Sequence, residues 1–244
     1  MRELILSDIT EMGSGLCVIG IEAATENLFR SVRPIPPQGF AWDRAFPHKR
    51  GSEVRFTSRP TSVCPPHTED QNTDGLEASG TCPSEVELVN MLQRAEVSTE
   101  LEGLFGCELH VDTKGGNAWV DSSQASSSIC GCLYRNLRFL VFQDPNRITL
   151  RARLVLVSGE TLNSLPVVDR EWRRFMDEVM ERLTRSGGHF DLDRYLNRFI
   201  RNKLLQALHG FARIGLARPD NGHKCWLMLD SLFPQPDVSW LDVL

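Results

Sequence analysis

The chain has 244 residues, 41% of them hydrophobic, and a formal net charge of −5. This composition supports one large or two ordinary folded domains and excludes disorder throughout. No stretch approaches the ~18 consecutive apolar residues that a membrane helix requires, and acidic residues occur too early for a secretory signal. We therefore expect a cytoplasmic protein that does not associate with membranes.

The cysteines are scattered, with seven of them at positions 17, 64, 82, 107, 130, 132 and 225. An odd, dispersed set is typical of thiols in a reducing compartment and not of a disulfide framework. Only Cys130 and Cys132 are close in sequence, and no second Cys or His pair stands at zinc-finger spacing. We expect that the protein requires neither a metal ion nor an organic cofactor.

The charges are distributed unevenly along the chain. Residues 66–112 carry eleven acids and one base, whereas residues 151–218 carry thirteen Lys or Arg and eight acids. A local basic face can steer an anionic partner even when the whole chain is acidic. Most of these charges are equally compatible with an ordinary solvated surface.

The N-terminal half shows strand signals separated by loops. The stretch LCVIGIEAATENLFRSVRPIPP predicts a β-hairpin, with Arg33 at the end of its second strand. Residues 38–83 are rich in Pro, Gly, Ser and Thr, which predicts long loops around one strand at EVRFT. Ser84 and Glu87 form a capping-box pattern that opens a short helix. A strand, LFGCELHVD, follows.

The C-terminal half contains the clearest strand signal. Leu150, Ala152, Leu154 and Leu156 share one face by the two-residue period of a strand, so Arg151 and Arg153 point to the other face. One face of this strand is predicted to be core and the other cationic.

Two amphipathic helices are predicted after this strand. Asp169 can cap the first, whose apolar positions recur at helical spacing at 172, 175, 176, 179, 180 and 183. The second helix is predicted over 191–208, after the Gly187-Gly188 break.

A hairpin is predicted near the C-terminus, from FARIGLAR through the turn PDNGH to KCWLMLDSLFP. Its apolar residues at 212, 214 and 216 form one face, which directs Arg213 to the other. Arg218 and Lys224 flank the turn.

Catalytic signatures are weak. No cysteine or serine has the local pattern of an activated nucleophile, and TKGGNA lacks the ending of a phosphate-binding loop. His67, Glu69 and Asp70, in the string CPPHTED, could transfer protons or hold a metal. The same residues also suit a turn or helix cap.

The arginines suggest a different chemistry. Guanidinium groups at positions 151, 153, 213 and 218 on neighbouring strands can form a groove that follows phosphates. Trp172 and Trp226, or Tyr134, could offer stacking surfaces to bases. The alternative is that the tryptophans belong to the core.

The chain resembles the bacterial dual OB-fold domain proteins. The matching stretches are LILSDITEMGSGLCVIGIE, FRSVRP, PPHTED, LPVVDREW, IGLARP and KCWLMLDSLFPQPD, in order along nearly the whole chain. The residues of these motifs that carry the resemblance are Arg33, His67, Glu69, Asp70, Asp169, Trp172, Arg218, Cys225 and Trp226.

The resemblance implies a mainly β fold with added α-helices, built as two tandem small OB-like β-barrels. We expect the first barrel in 1–112, with a long acidic loop and a short helix. The second is expected in 113–244, with a helical insertion at about 170–208. The resemblance also implies nucleic-acid binding and a setting among bacterial mobile-element or defence genes, although a fold alone does not determine function.

We therefore predict a non-enzymatic protein that binds single-stranded or distorted DNA or RNA. The acidic 66–112 region would repel phosphates, so we expect the groove on the second barrel or between the barrels. The candidate nucleic-acid-binding residues are Arg33, Arg151, Arg153, Trp172, Arg213, Arg218 and Lys224. A possible polar site comprises His67, Glu69, Asp70 and Asp169.

Two alternatives remain open. In the first, the protein is an adaptor that docks onto a protein partner encoded nearby, in a nucleic-acid-processing complex. In the second, it is a hydrolase or nucleotide-modifying enzyme that uses His67, Glu69 and Asp70.

Overall fold

The computed structural model describes residues 1–185 and 209–235, apart from positions 14, 25–27, 38, 40, 60–64, 96, 99, 113–115 and 145–146. Within these ranges the protein is mainly β, with two seven-stranded sheets and two α-helices. The sheets are curled into two barrel-like units, so the predicted class of a mainly β fold with added helices is confirmed.

The first sheet has the strand order β5-β6-β3-β2-β1-β4-β7. Only the β3–β6 pair is parallel among the described pairs of this sheet. Its strands are β1 (Arg2–Met12), β2 (Gly15–Ala23), β3 (Phe29–Ile35), β4 (Glu53–Phe56), β5 (Ser58–Arg59), β6 (Asp70–Thr73) and β7 (Glu77–Ala78).

The predicted N-terminal hairpin is confirmed as the antiparallel pair β2–β3. Strand β1, in contrast, was not predicted. Ser7, Asp8 and Thr10 interrupt its apolar pattern, but all three are buried because β1 packs against the second sheet. Because polar residues interrupt its apolar pattern, the sequence does not indicate that both faces of β1 are buried.

The second sheet has the order β12-β11-β10-β13-β14-β9-β8. Strand β12 also contacts β9 and β14, which brings the two ends of the sheet together. Its strands are β8 (His110–Val111), β9 (Ala118–Asp121), β10 (Ile129–Asp144), β11 (Arg147–Leu156), β12 (Thr161–Pro166), β13 (His209–Leu216) and β14 (Lys224–Gln235).

The alternation predicted for β11 is confirmed. Ala152, Leu154 and Leu156 are fully buried in the core of the second unit, whereas Arg153 is exposed. The C-terminal hairpin is also confirmed, as the pair β13–β14.

The first helix, α1 (Glu85–Ala95), begins with the predicted capping box. The Ser84 backbone N–H donates to the Glu87 carboxylate at 2.8 Å, and the Glu87 N–H donates to Ser84 Oγ at 3.3 Å. The buried face of α1 packs on Phe211 and Phe233 of the second sheet and on Ile21 of the first. This helix therefore joins the two units through a shared apolar cluster.

The second helix, α2 (Arg170–Arg185), begins at the predicted Asp169 cap. Asp169 Oδ1 accepts the backbone N–H groups of Glu171 at 2.8 Å and Trp172 at 3.2 Å. Phe175 lies with Trp172 in the core of the second unit. The second predicted helix, over 191–208, lies outside the described residues. Neither α1 nor α2 is both long and apolar enough to cross a membrane.

Candidate nucleic-acid interface

Three aromatic side chains are cross-strand neighbours on the outer surface of the second sheet. Cross-strand pairing places His110 of β8 opposite Trp119 of β9, and Trp119 opposite Trp226 of β14. The His110 and Trp119 rings are stacked with centroids 4.3 Å apart. All three side chains are half-buried. We call this set, His110, Trp119 and Trp226, the aromatic stripe.

The strand period explains why these rings face outward. Ala118 and Val120 flank Trp119, Cys225 and Leu227 flank Trp226, and all four point into the core of the second unit. The intervening residues must then lie on the outer surface. The alternative that Trp226 is a core residue is therefore wrong.

A cation covers the aromatic stripe. Lys224 Nζ lies 4.6 Å from the centroid of the Trp119 ring and 6.0 Å from that of the Trp226 ring. Asp220 orders the turn that precedes Lys224, since its Oδ1 accepts the backbone N–H groups of Gly222 at 2.8 Å and Lys224 at 3.0 Å. These bonds lower the pKa of Asp220.

Arginines extend from the aromatic stripe around the barrel. Arg151 Nη1 donates to the Ser164 carbonyl at 2.8 Å and to the side chain of Asn117, two residues before Trp119. Arg153 is exposed and lies opposite the exposed Arg138 on β10. The β10–β11 hairpin thus presents the cationic outer face that its sequence predicts.

Arg33 and Arg218 share one carboxylate. Arg218 Nη2 lies 2.7 Å from Asp70 Oδ2, and the Arg33 guanidinium binds Asp70 Oδ1. The Arg33 side chain is only 11% exposed, whereas that of Arg218 is 39% exposed. Arg33 therefore serves as an internal ion-pair partner, and Arg218 retains a solvent-facing edge beside the turn that carries Lys224.

Three candidate residues are buried instead of exposed. Arg213 has no exposed surface, and its Nη2 donates to Ser31 Oγ at 2.9 Å and lies 3.5 Å from Asp8 Oδ2. Trp172 is also fully buried, with its ring stacked 4.1 Å from Phe139. Tyr134 is buried in the same core. In these positions none of the three can contact a ligand on the surface.

Arg213 was expected on the surface, and it is buried for a simple physical reason. The face of β13 opposite Ile214 does not meet solvent, because β1 of the first sheet lies against the adjacent strand β14. We call this contact between the two sheets the seam. It buries a set of polar side chains: Ser7, Asp8, Ser31, Arg213, Asp230 and Ser231.

The possible polar site is only partly assembled. His67, Glu69 and Asp70 are all buried, and His67 Nδ1 lies 3.8 Å from Glu69 Oε1. Burial lowers the pKa of His67, which favours its neutral form at pH 7. Asp169 makes its contacts separately, as the cap of α2 and an ion pair of Arg50 at 3.4 Å. Within the described ranges, no three His, Cys, Asp or Glu residues are grouped to hold a metal ion.

Sequence reasoning missed two members of the aromatic stripe, His110 and Trp119. The strand predicted at LFGCELHVD is wrong except at its end, where His110 and Val111 form β8, and Trp119 lies on a strand of four residues, too short for a periodic signal. It also missed Asp8 and Asp230, whose charge suggested exposure. Cys225, which belongs to the motifs of the resemblance, is buried in the core.

No protein-family model, curated protein or solved structure matches the chain.

Proposed function

We propose that this protein binds single-stranded nucleic acid, without strong sequence preference, on the outer surface of its second sheet. The observation that carries the proposal is the aromatic stripe, with Lys224 lying over two of its rings. The proposal includes the finer description of each unit as an OB-like barrel. The scattered cysteines support a cytoplasmic location, and the dual OB-fold resemblance supports a bacterial mobile-element or defence system.

Stacking would supply the affinity of this surface. Each base has a π-face, and stacking on an aromatic side chain contributes about 1–3 kcal/mol per base regardless of sequence. Trp119 and Trp226 are half-buried, and the Trp119 ring also stacks on His110, so less conformational entropy is lost when a base stacks on them. Duplex bases are already stacked on each other, which favours a single strand.

Cations beside the rings would neutralise the phosphates. Lys224 can move from the tryptophan rings to a phosphate once a base occupies the stripe, because its side chain is long and half-exposed. Arg218 lies on the same hairpin, and Arg138 and Arg153 continue the path on β10–β11. Since the whole chain is acidic, binding depends on these local charges and weakens steeply with salt.

The experiment is fluorescence anisotropy with labelled oligo(dT) and oligo(U) over a salt series. We expect Trp119→Ala and Trp226→Ala each to weaken binding about 5- to 100-fold, with Trp226→Phe retaining most of the affinity. Absence of binding at low salt by folded protein would overturn the proposal and favour a protein partner. If the alanine variants and the native chain bind with equal affinity, the aromatic stripe is not part of the binding surface.

A second comparison tests the arginine path. Arg153→Glu reverses an exposed charge on β11, whereas Arg59→Glu reverses one on β5 of the first sheet, where the side chain is 64% exposed. We expect Arg153→Glu to weaken binding more than Arg59→Glu. Equal effects would restrict the interface to the aromatic stripe.

A further inference from the structure

A small cavity lies where the first unit meets the N-terminus of α2. Its volume is about 40 Å³, and it is bounded by residues 48–50, Ile9 of β1, Ser231 of β14 and the first turns of α2. One buried water needs only ~15 Å³ of such space, while pockets for drug-sized ligands reach ~300 Å³ or more. The cavity therefore suits one small ion or one small charged group.

The lining of the cavity is predominantly cationic. Lys49, Arg50, Arg170 and Arg174 line it, against two acids, Asp169 and Glu171, with His48 also present. Arg50 binds both acids. In the part of the chain that the structure describes, Lys49, Arg170 and Arg174 have no carboxylate within ion-pair distance.

Arg170 is the most informative of these cations. The residue is only 9% exposed, and its guanidinium donates to the backbone carbonyls of Arg44 at 3.0 Å and Phe46 at 3.5 Å. Neutral carbonyls fix the orientation of a guanidinium but do not compensate its charge. Burial and the neighbouring Arg174 lower the pKa of Arg170, and the charge of Glu11 offsets only part of that effect. A bound anion would relieve both effects.

Both acids in the lining already have partners within the protein, since each pairs with Arg50. Asp169 Oδ1 is occupied by the backbone N–H groups that open α2, and Oδ2 faces Arg50. The helix start is thus already capped, so the affinity must come from the guanidinium and ammonium groups that line the cavity. Arginine suits this role, since its planar donors match the oxygens of phosphate.

We infer that this cavity binds a phosphate-type oxyanion through Arg170, Arg174 and Lys49. The site is distinct from the aromatic stripe and does not depend on nucleic-acid binding there. The same chemistry is presented by inorganic phosphate and by the terminal phosphate of an oligonucleotide. Binding would also tie the first unit to α2, because Lys49 belongs to the first unit.

The test is isothermal titration calorimetry with sodium phosphate, together with thermal unfolding at constant ionic strength set by chloride. We expect phosphate to bind and to raise the Tm in proportion to the logarithm of its concentration. Arg174→Gln should weaken phosphate binding at least tenfold without unfolding the protein, because Arg174 is exposed. Arg59→Gln removes one positive charge outside the cavity, and we expect it to leave the affinity for phosphate unchanged.

The inference would be overturned if phosphate does not bind and raises the Tm no more than chloride does. It would also be overturned if Arg174→Gln and the native chain bind phosphate with equal affinity. Trp226→Ala separates the two proposals, because it should weaken oligonucleotide binding and leave the affinity for inorganic phosphate unchanged. Once phosphate binding is measured, tighter binding of a 5′-phosphorylated oligonucleotide than of its 5′-hydroxyl form identifies the terminal phosphate as the ligand. Equal binding of the two forms assigns the site to free phosphate.

Discussion

Arginines of the second sheet lie both on its outer surface and at the seam between the sheets, and the two environments are opposite. Arg153 on β11 is exposed and lies beside Arg138. Arg213 on β13 has no exposed surface and lies among Asp8, Ser31 and Asp230. The same residue type faces solvent in one place and is packed inside the protein in the other.

The difference lies in what covers each strand face. Buried charges at the seam are expensive, and burial together with the neighbouring Asp8 raises the pKa of Asp230 well above its ordinary value. Arg213 offsets part of that cost. On the outer surface water solvates each guanidinium, so an arginine there contributes little to stability and is available to a phosphate.

The largest expected effect is at the seam. Arg213→Met removes the buried cation near Asp8 and Asp230, and we expect a loss of about 3–5 kcal/mol in the free energy of unfolding by urea. Arg153→Met should change it by less than about 0.5 kcal/mol. Adding Asp8→Asn to Arg213→Met should recover part of the loss. Similar small effects of both arginine variants would contradict the contrast between the two regions.

The tryptophans provide a parallel contrast. Trp172→Ala opens a cavity beside Phe139 and Phe175, so we expect a loss of about 3–5 kcal/mol in the free energy of unfolding. Trp226→Ala should cost about 1 kcal/mol or less, since its ring lies on the surface. Unfolding in urea measures both. A larger loss for Trp226→Ala than for Trp172→Ala would reverse our assignment of core and surface.

A pH series examines Asp169, at the edge of the seam. Burial raises its pKa from 3.8 to about 6, so the native state binds a proton that the unfolded state lacks between these values. Relative to Asp169→Asn, the native chain should gain up to about 3 kcal/mol in unfolding free energy as the pH falls from 7 to 4. Parallel stability curves for the two proteins would show that the pKa of Asp169 is not raised.

The smallest expected effect concerns the salt dependence of binding. Lys224→Gln removes one cation from the aromatic stripe, and we expect the slope of log K against log salt for single-stranded DNA to become shallower by about 0.7. Anisotropy titrations between ~50 and ~200 mM salt span the useful range. Arg59→Gln should leave the slope unchanged, and an unaltered slope for Lys224→Gln would mean that this lysine does not reach a phosphate.

Local sequence patterns determined many of the individual elements. The capping box at Ser84, the Asp169 cap, the alternation along β11 and the β13–β14 hairpin follow from interactions between residues close in the chain. Strand β1 was not predicted, because Ser7 and Asp8 are buried although polar residues of this kind usually lie on the surface. The two-residue period of β13 correctly places Arg213 on the face opposite Ala212, Ile214 and Leu216. The period could not show that the face with Arg213 is also buried.

Only the tertiary structure decided which polar faces meet solvent. Trp119 and Trp226 are 107 positions apart by their residue numbers, and strand pairing brings them together. The packing of β1 against β14 removes Arg213 from the surface, and the contact of residues 48–50 with α2 assembles the cationic cavity. Chain-local energetics fix periodicity and caps, whereas burial depends on partners that lie far away in the sequence.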